Sequence, residues 1–138
     1  MTLLNFRKLP VKKNYNKYLI RWDEGSASKS QLFVKQFLKQ FWQYHIVYEE
    51  LPVLGTKLRM DFYNATKRIS VEYDGAQHNK FTPFFHGSKA GFLSSLKRDD
   101  RKTQFCEINN ITQIVLIEED LSKLSSSYIY DKFGVDIK

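Results

Sequence analysis

Cysteine is almost absent from this 138-residue chain, and its single Cys106 excludes an internal disulfide and a cysteine-based zinc cage. Long apolar runs are also missing, since no stretch approaches the roughly 18 residues of a membrane span. The apolar start, Met1–Leu4, is shorter than the core of about 7–15 residues in a signal peptide. These absences predict an intracellular, cytoplasmic protein with no membrane partner.

Acidic side chains are missing from the first 21 residues, which carry six basic ones. The rest of the chain is nearly balanced, so most of the net charge of +7 lies in this segment. We predict a basic N-terminal arm over residues 1–25 that binds nucleic acid, the simplest polyanion. A solvated tail that only aids solubility is the open alternative. The arm's predicted DNA-binding residues are Arg7, Lys8, Lys12, Lys13 and Lys17.

The body of the protein, residues 26–127, begins with a predicted helix over 29–43. Ser28 is a suitable N-cap, and apolar side chains including Phe33 recur at helical spacing. This stripe is expected to face the core, and Lys35 is expected on the opposite, polar face.

Alternating and β-branched segments predict a sheet behind this helix. The predicted strands are 46–48, 58–63, 69–74 and 111–117, with a second helix at 89–109. The order helix-strand-strand-strand-helix-strand indicates an α/β fold with a mixed sheet flanked by helices. A short helix over 119–127 and a C-terminal extension, 128–138, follow. The extension could be a last strand or a dimer contact.

Three carboxylates fall on the two central strands. Glu72 and Asp74 lie two residues apart, so they project from one face about 7 Å apart. Asp61 lies on the partner strand, opposite Glu72 or Asp74 if the hairpin registers symmetrically. Carboxylates this close call for a compensating cation, and hard oxygen ligands suit Mg²⁺ or Mn²⁺. The alternative is that each acid lies singly on a solvated sheet face.

The residues after the second carboxylate strand add to this cluster. Gly75 permits a sharp exit from the strand, and Gln77 and His78 follow within reach of its end. Lys97 and Arg98 open a charged run in the next predicted helix. Taken singly, His78 is more often a hydrogen-bonded surface residue, and such a run is more often a solvated face. Their convergence on one strand end favours a shared site.

The segments Met60–Tyr63 and Ile69–His78 together resemble the catalytic hairpin of PD-(D/E)XK nucleases. They are most similar to the branch of very-short-patch repair endonucleases and small phage-borne homing endonucleases. In that branch an Asp on one strand is followed by Glu-x-Asp-Gly-x-x-His on the next. The likeness spans about residues 26–120, and its further segments are Tyr48–Val53, Phe84–Gly87, Lys97–Asp100 and Gln104–Asn109.

The resemblance implies a restriction-endonuclease-like core and a Mg²⁺- or Mn²⁺-dependent endonuclease that hydrolyses phosphodiester bonds of double-stranded DNA at specific sites, as homing enzymes do. It assigns Asp61 and Glu72 as metal ligands, with the Tyr73 carbonyl as a third candidate. The remaining residues that it implicates are Asp74, Gln77, His78 and Lys97 in catalysis, Gln31, Glu50 and Asp99 in support, and Arg98 and Lys102 in DNA binding.

Two positions depart from the family pattern. Asp74 stands where the family often has Lys, which leaves open which group activates the attacking water: His78 as a general base, or the metal by forming a bound hydroxide. Gln31 stands where relatives commonly place a Glu near the metal. A Gln keeps a carbonyl ligand and loses the charge, so Glu49 or Glu50 would have to supply it.

The same residues are compatible with other functions. A mismatch- or junction-specific repair nuclease would use the same chemistry, as a monomer or as a homodimer that reaches both strands. A DNA-binding module of the same fold would keep the acids without cutting. An RNA-directed module would stack unpaired bases on Phe81, Phe84 and Phe85, although core aromatics are commoner.

Overall fold

The structure is a computed structural model that describes residues 1–74 and 101–138. The elements in chain order are β1 (Thr2–Leu4), β2 (Pro10–Lys12), a 3-10 turn (Asn16–Tyr18), α1 (Lys29–Trp42), β3 (Val47–Pro52), β4 (Arg59–Asn64), β5 (Ile69–Tyr73), α2 (helical residues 101–108), β6 (Thr112–Leu116), α3 (Glu118–Leu121) and α4 (Ser126–Phe133). The predicted α/β class with a mixed sheet is confirmed.

The larger sheet has the strand order β3-β4-β5-β6 within the described residues. Strands β3, β4 and β5 pair antiparallel, and β6 lies parallel to β5. The predicted β4–β5 hairpin is confirmed. Its turn is tight because the Asn64 side chain accepts the N–H of Lys67 at 2.9 Å and Arg68 adopts a left-handed φ of 57°. This turn sets the register of everything that follows on the two strands.

Helix α1 begins where the sequence predicts, with the Ser28 hydroxyl accepting the N–H of Gln31. Its predicted orientation is wrong in part. Phe33 is 49% exposed, whereas Lys35, expected on the polar face, is only 1% exposed. Lys35 is buried because Glu49 and two backbone carbonyls surround its ammonium group. The ion pair therefore lets Lys35 share the buried face of α1 with Val34, Leu38 and Trp42.

Both faces of the sheet are covered, which explains its nearly continuous burial. One hydrophobic cluster joins α1, α4 and the C-terminal tail to the sheet through residues such as Phe62 and Ile114. The other joins the N-terminal hairpin and α2 to the opposite face through Tyr63 and Phe105. The candidate site lies on this second face, beneath α2.

The basic N-terminal segment is folded against the body. Strands β1 and β2 pair, and Leu3 and Tyr15 are buried in the core. The Asn109 side chain, at the end of α2, bonds the backbone of Leu4 twice, accepting its N–H and donating to its carbonyl. The six basic side chains of residues 1–21 all remain exposed. The segment therefore presents its charge on a fixed surface.

The C-terminal residues form α4 and a packed tail, so the alternative of a last strand over 128–138 is wrong. Ser125 caps α4, and Gly134 ends it with a φ of 70°. Ile129 and Ile137 are buried, and the Trp42 indole donates to the Ile137 carbonyl at 2.7 Å. The predicted helix over 119–127 is also shorter, since α3 ends at Leu121 and α4 begins five residues later. In the described part of the chain, no helix is long and apolar enough to cross a membrane.

Candidate active site

The candidate site lies where the ladder between β4 and β5 stops. The last backbone pair is Phe62–Val71, and the next position along this register brings Asp61 opposite Glu72. Beyond it, β4 continues beside β3, and β5 continues beside β6. The predicted meeting of Asp61 and Glu72 is confirmed.

Side chains replace the missing backbone bonds at this point. The Asp61 N–H donates to Glu72 Oε2 at 2.7 Å, and the Tyr73 N–H donates to Asp61 Oδ2 at 2.9 Å. Each carboxylate is thus held by the backbone of the opposite strand. The reciprocal bonds fix both groups side by side, so the backbone itself positions the two carboxylates.

Burial makes this pair electrostatically demanding. Burial first, and then the negative charge of Asp61, raise the pKa of Glu72 to about 8. Burial also raises the pKa of Asp61, and the charges of Glu50 and Asp74 add to the effect. Asp74 therefore belongs to the same electrostatic cluster, as the sequence predicts. A positive charge next to these carboxylates lowers their pKa because it offsets the repulsion between them.

Lys102 on α2 places a positive charge next to Glu72, a contact that the sequence does not predict. Its ammonium group lies 2.6 Å from Glu72 Oε1, with the lysine side chain 21% exposed and the glutamate side chain 6% exposed. Its charge also lowers the pKa of both Asp61 and Glu72. The sequence predicts that Lys102 binds DNA or stabilises charge on the phosphate, but it does not predict the contact with Glu72, which lies 30 positions earlier in the chain.

A small pocket opens beside this ion pair. It has a volume of about 80 Å³, room for a few water molecules. Besides Glu72, Asp74 and Lys102, it is lined by Thr103 and Gln113, whose side chains bond each other at 2.9 Å. Sequence reasoning missed both residues, because a lone Thr on a helix and a lone Gln on a strand carry no distinguishing pattern.

Gln31 of α1 contacts two acidic residues of β3, one of which is the predicted supporting residue Glu50. Its amide nitrogen donates to Glu49 Oε2 at 2.9 Å and to Glu50 Oε1 at 3.1 Å. Its amide nitrogen therefore positions both carboxylates, and a ligand role for its carbonyl oxygen stays a prediction. Glu50, opposite Asp61 in the β3–β4 register, has a left-handed φ of 56°. Glu49 is tied instead to the buried Lys35, at 2.9 Å.

Several predicted site residues lie outside the described residues: Gln77, His78, Lys97, Arg98 and Asp99, with Phe81, Phe84 and Phe85 of the stacking alternative. Their roles stay predictions, as does that of the Tyr73 carbonyl. The basic residues of the N-terminal segment, in contrast, are described and exposed.

The carboxylate oxygens of Asp61 and Glu72 are ligands of the kind that Mg²⁺ and Mn²⁺ prefer. Among residues 1–74 and 101–138, no three His, Cys, Asp or Glu side chains form a group that could hold a metal. Mg²⁺, however, is commonly bound by one or two carboxylates plus water and substrate oxygens. Asp61 and Glu72 provide two such ligands, and the Lys102 ammonium already occupies a cation position on one of them. The site therefore fits Mg²⁺ or Mn²⁺ with an incomplete protein shell.

Comparison with known proteins finds two viral relatives. The chain is 41% identical over 76 residues to the uncharacterized protein 307L of Invertebrate iridescent virus 6, a match that covers 54% of the chain and 37% of that protein. It is 39% identical over 67 residues to the uncharacterized protein 033L of Invertebrate iridescent virus 3, covering 49% of the chain and 33% of that protein. The matches thus span only about a third of each relative. No protein-family model matches, and no solved structure matches significantly.

Proposed function

We propose that this protein is a metal-dependent DNA endonuclease with a PD-(D/E)XK-type core. The observation that carries the proposal is the reciprocal bonding of Asp61 and Glu72, which holds two buried carboxylates together at an interrupted strand pair. Burying two adjacent acids costs stability, so such an arrangement needs a reason. Binding a catalytic cation is the reason that the chemistry supports best.

The order of elements supports the finer assignment of the fold. Over residues 1–74 and 101–138, helix α1, the antiparallel strands β3 to β5, helix α2 and the parallel strand β6 occur in the order that the nuclease resemblance implies. The two carboxylates lie on the second and third of these strands. The N-terminal hairpin and α4 are then additions that cover the two faces of this core.

Each residue of the site has a distinct task in this proposal. Asp61 and Glu72 hold the ion, and Gln31 fixes Glu50 beside them. When bound, the ion would act as a Lewis acid on the phosphodiester and would ease deprotonation of water. Lys102, from its place at the edge of the pocket, would neutralise charge that develops on the phosphate.

Incubation of plasmid DNA with the purified protein tests the proposal. We expect cleavage with Mg²⁺ or Mn²⁺ and no cleavage with EDTA, with activity returning when the ion is restored. Plain, mismatched and branched duplexes, tested beside the DNA that flanks the gene, separate homing-like from repair-like specificity. Binding without cleavage on every one of these substrates would leave a DNA-binding module in place of an enzyme.

The fixed basic surface predicts salt-sensitive DNA binding. We expect the combined change of Lys12, Lys13 and Lys17 to Ala to weaken duplex binding at least about tenfold at low salt. The slope of log affinity against log salt should fall by about 0.9 for each phosphate that a lysine no longer neutralises. Fluorescence anisotropy in EDTA measures both quantities without cleavage. Lys123→Ala, which removes an exposed lysine between α3 and α4, is the control and should change neither.

A further inference from the structure

The Lys102 ammonium group contacts Glu72, one of the two carboxylates that would hold a divalent ion. Glu72 Oε2 is taken by the Asp61 N–H and Oε1 by the Lys102 ammonium at 2.6 Å. Asp61 likewise has Oδ2 engaged by the Tyr73 N–H. An ion shared by the two carboxylates therefore has to compete with the ammonium group for Glu72 Oε1.

We propose that Lys102 is an internal counter-ion that competes with the divalent ion and sets its affinity. The inference rests on the proposed function only in assigning Asp61 and Glu72 to the metal. A charged ammonium in contact with one ligand opposes a second cation in two ways. It occupies a ligand oxygen, and it repels the incoming charge in a partly buried setting where screening is weak.

The surroundings of Lys102 allow it to leave Glu72 without becoming buried and unpaired. Its side chain is partly exposed and lines the pocket of about 80 Å³ with Thr103 and Gln113. An ammonium displaced toward this pocket stays within reach of water, and of the phosphate oxygens of a bound substrate. Lys102 would therefore pair with Glu72 when no metal is bound, and would contact the phosphate of the substrate when the metal is bound.

Measurement of Mn²⁺ affinity, without DNA and at fixed pH, tests the inference. We expect Lys102→Met to bind Mn²⁺ at least about tenfold more tightly than the wild type in isothermal titration calorimetry, because one competing charge is gone. Lys102→Arg should remain close to the wild type, since it keeps the charge. Melting temperatures should follow the same trend as the affinities: Mn²⁺ should raise the melting temperature of Lys102→Met more than that of the wild type.

Lys132→Met is the matched control. Lys132 also lies 2.6 Å from a buried carboxylate, Asp120, but that pair belongs to α3 and α4. Its loss should leave Mn²⁺ affinity unchanged, which separates a specific effect from loss of an ion pair in general. If Lys102→Met fails to fold by circular dichroism, Lys102→Gln makes the same test with a polar side chain.

The outcomes distinguish this inference from the proposed function. Unchanged or weaker Mn²⁺ binding by Lys102→Met overturns the counter-ion role, even if the wild type cuts DNA. Tighter binding in a protein that cuts no DNA upholds the counter-ion role and removes the nuclease assignment. If neither the wild type nor the variant binds Mn²⁺, both ideas fall.

Discussion

Glu72→Gln and Asp61→Asn proteins should bind duplex DNA as the wild type does and lose at least about 100-fold in cleavage rate. Each change preserves the size of the side chain and keeps an oxygen that can accept the backbone N–H of the opposite strand. The hairpin should therefore stay intact. Only the negative charge that would hold the cation is removed.

Cleavage of plasmid DNA with Mg²⁺ and binding in EDTA should be measured on the same preparations. Glu107→Gln is the matched control, because Glu107 lies exposed on α2, the helix that carries Lys102. It should cut at the wild-type rate. Undiminished cleavage by either active-site variant would remove the assignment of the paired carboxylates to catalysis.

A second large effect concerns stability against pH and does not depend on any activity. The pKa of Glu72 rises from 4.5 to about 8 in the folded chain. The folded state therefore keeps a proton that the unfolded chain releases near pH 4.5, and folding favours protonation. Stability contributed by this group is fully present below about pH 4.5 and is lost as the pH rises to 8.

The wild type should accordingly lose about 3–5 kcal/mol of unfolding free energy at this group between the two ends of that range, since each pKa unit corresponds to about 1.4 kcal/mol. Glu72→Gln carries no such proton, so its stability should decline less and exceed that of the wild type at pH 8. The raised pKa of Asp61, which remains in the variant, adds a smaller decline of the same sign to both proteins.

Urea unfolding at pH 5 and at pH 8, followed by tryptophan fluorescence, measures this difference. Glu107→Gln again serves as the control and should follow the wild-type dependence. Parallel curves for the wild type and Glu72→Gln would mean that Lys102 fully compensates the buried charge, and the pKa of Glu72 would then lie near its ordinary value.

Glu72→Gln is thus expected to lose cleavage activity and to gain stability at pH 8. Such a trade-off is typical of a residue kept for function. A group that costs stability in its ionised form is tolerated where its charge is needed for function. A structural acid of the same chain behaves differently. Asp120 is fully buried, but it is surrounded by donors from Tyr128, Lys132 and the Ile117 backbone, and its pKa is lowered.

The pairing of Asp61 with Glu72 could be predicted from the sequence because it depends on local rules. Alternation places side chains on faces, and a short turn fixes the register between adjacent strands. The cap at Ser28 and the strand at β6 were predictable for the same reason. The viral relatives do not alter this interpretation, since their names state no function and the matches cover only about a third of each.

Contacts between distant residues followed different rules. Lys102 meets Glu72 only because α2 packs over the sheet, and Lys35 is buried only because Glu49 lies beneath it. The charge pattern of the N-terminal segment did not predict that Leu3 and Tyr15 would be buried and anchor the segment to the body. For both lysines the side chain alone favours solvent, and an acidic partner far along the chain reverses the preference.

The sequence by itself thus predicted the strands of the larger sheet, its central hairpin and the identity of the two carboxylates, whereas strands β1 and β2 and the choice of Glu72 over Asp74 as the residue opposite Asp61 came from the structure. The tertiary structure alone decided which cation meets them, which side of α1 is buried and how the N-terminal charges are presented. The physical reason is that backbone geometry repeats over a few residues. The free energy of burying a charge, in contrast, depends on whichever partner the completed fold brings within hydrogen-bonding distance.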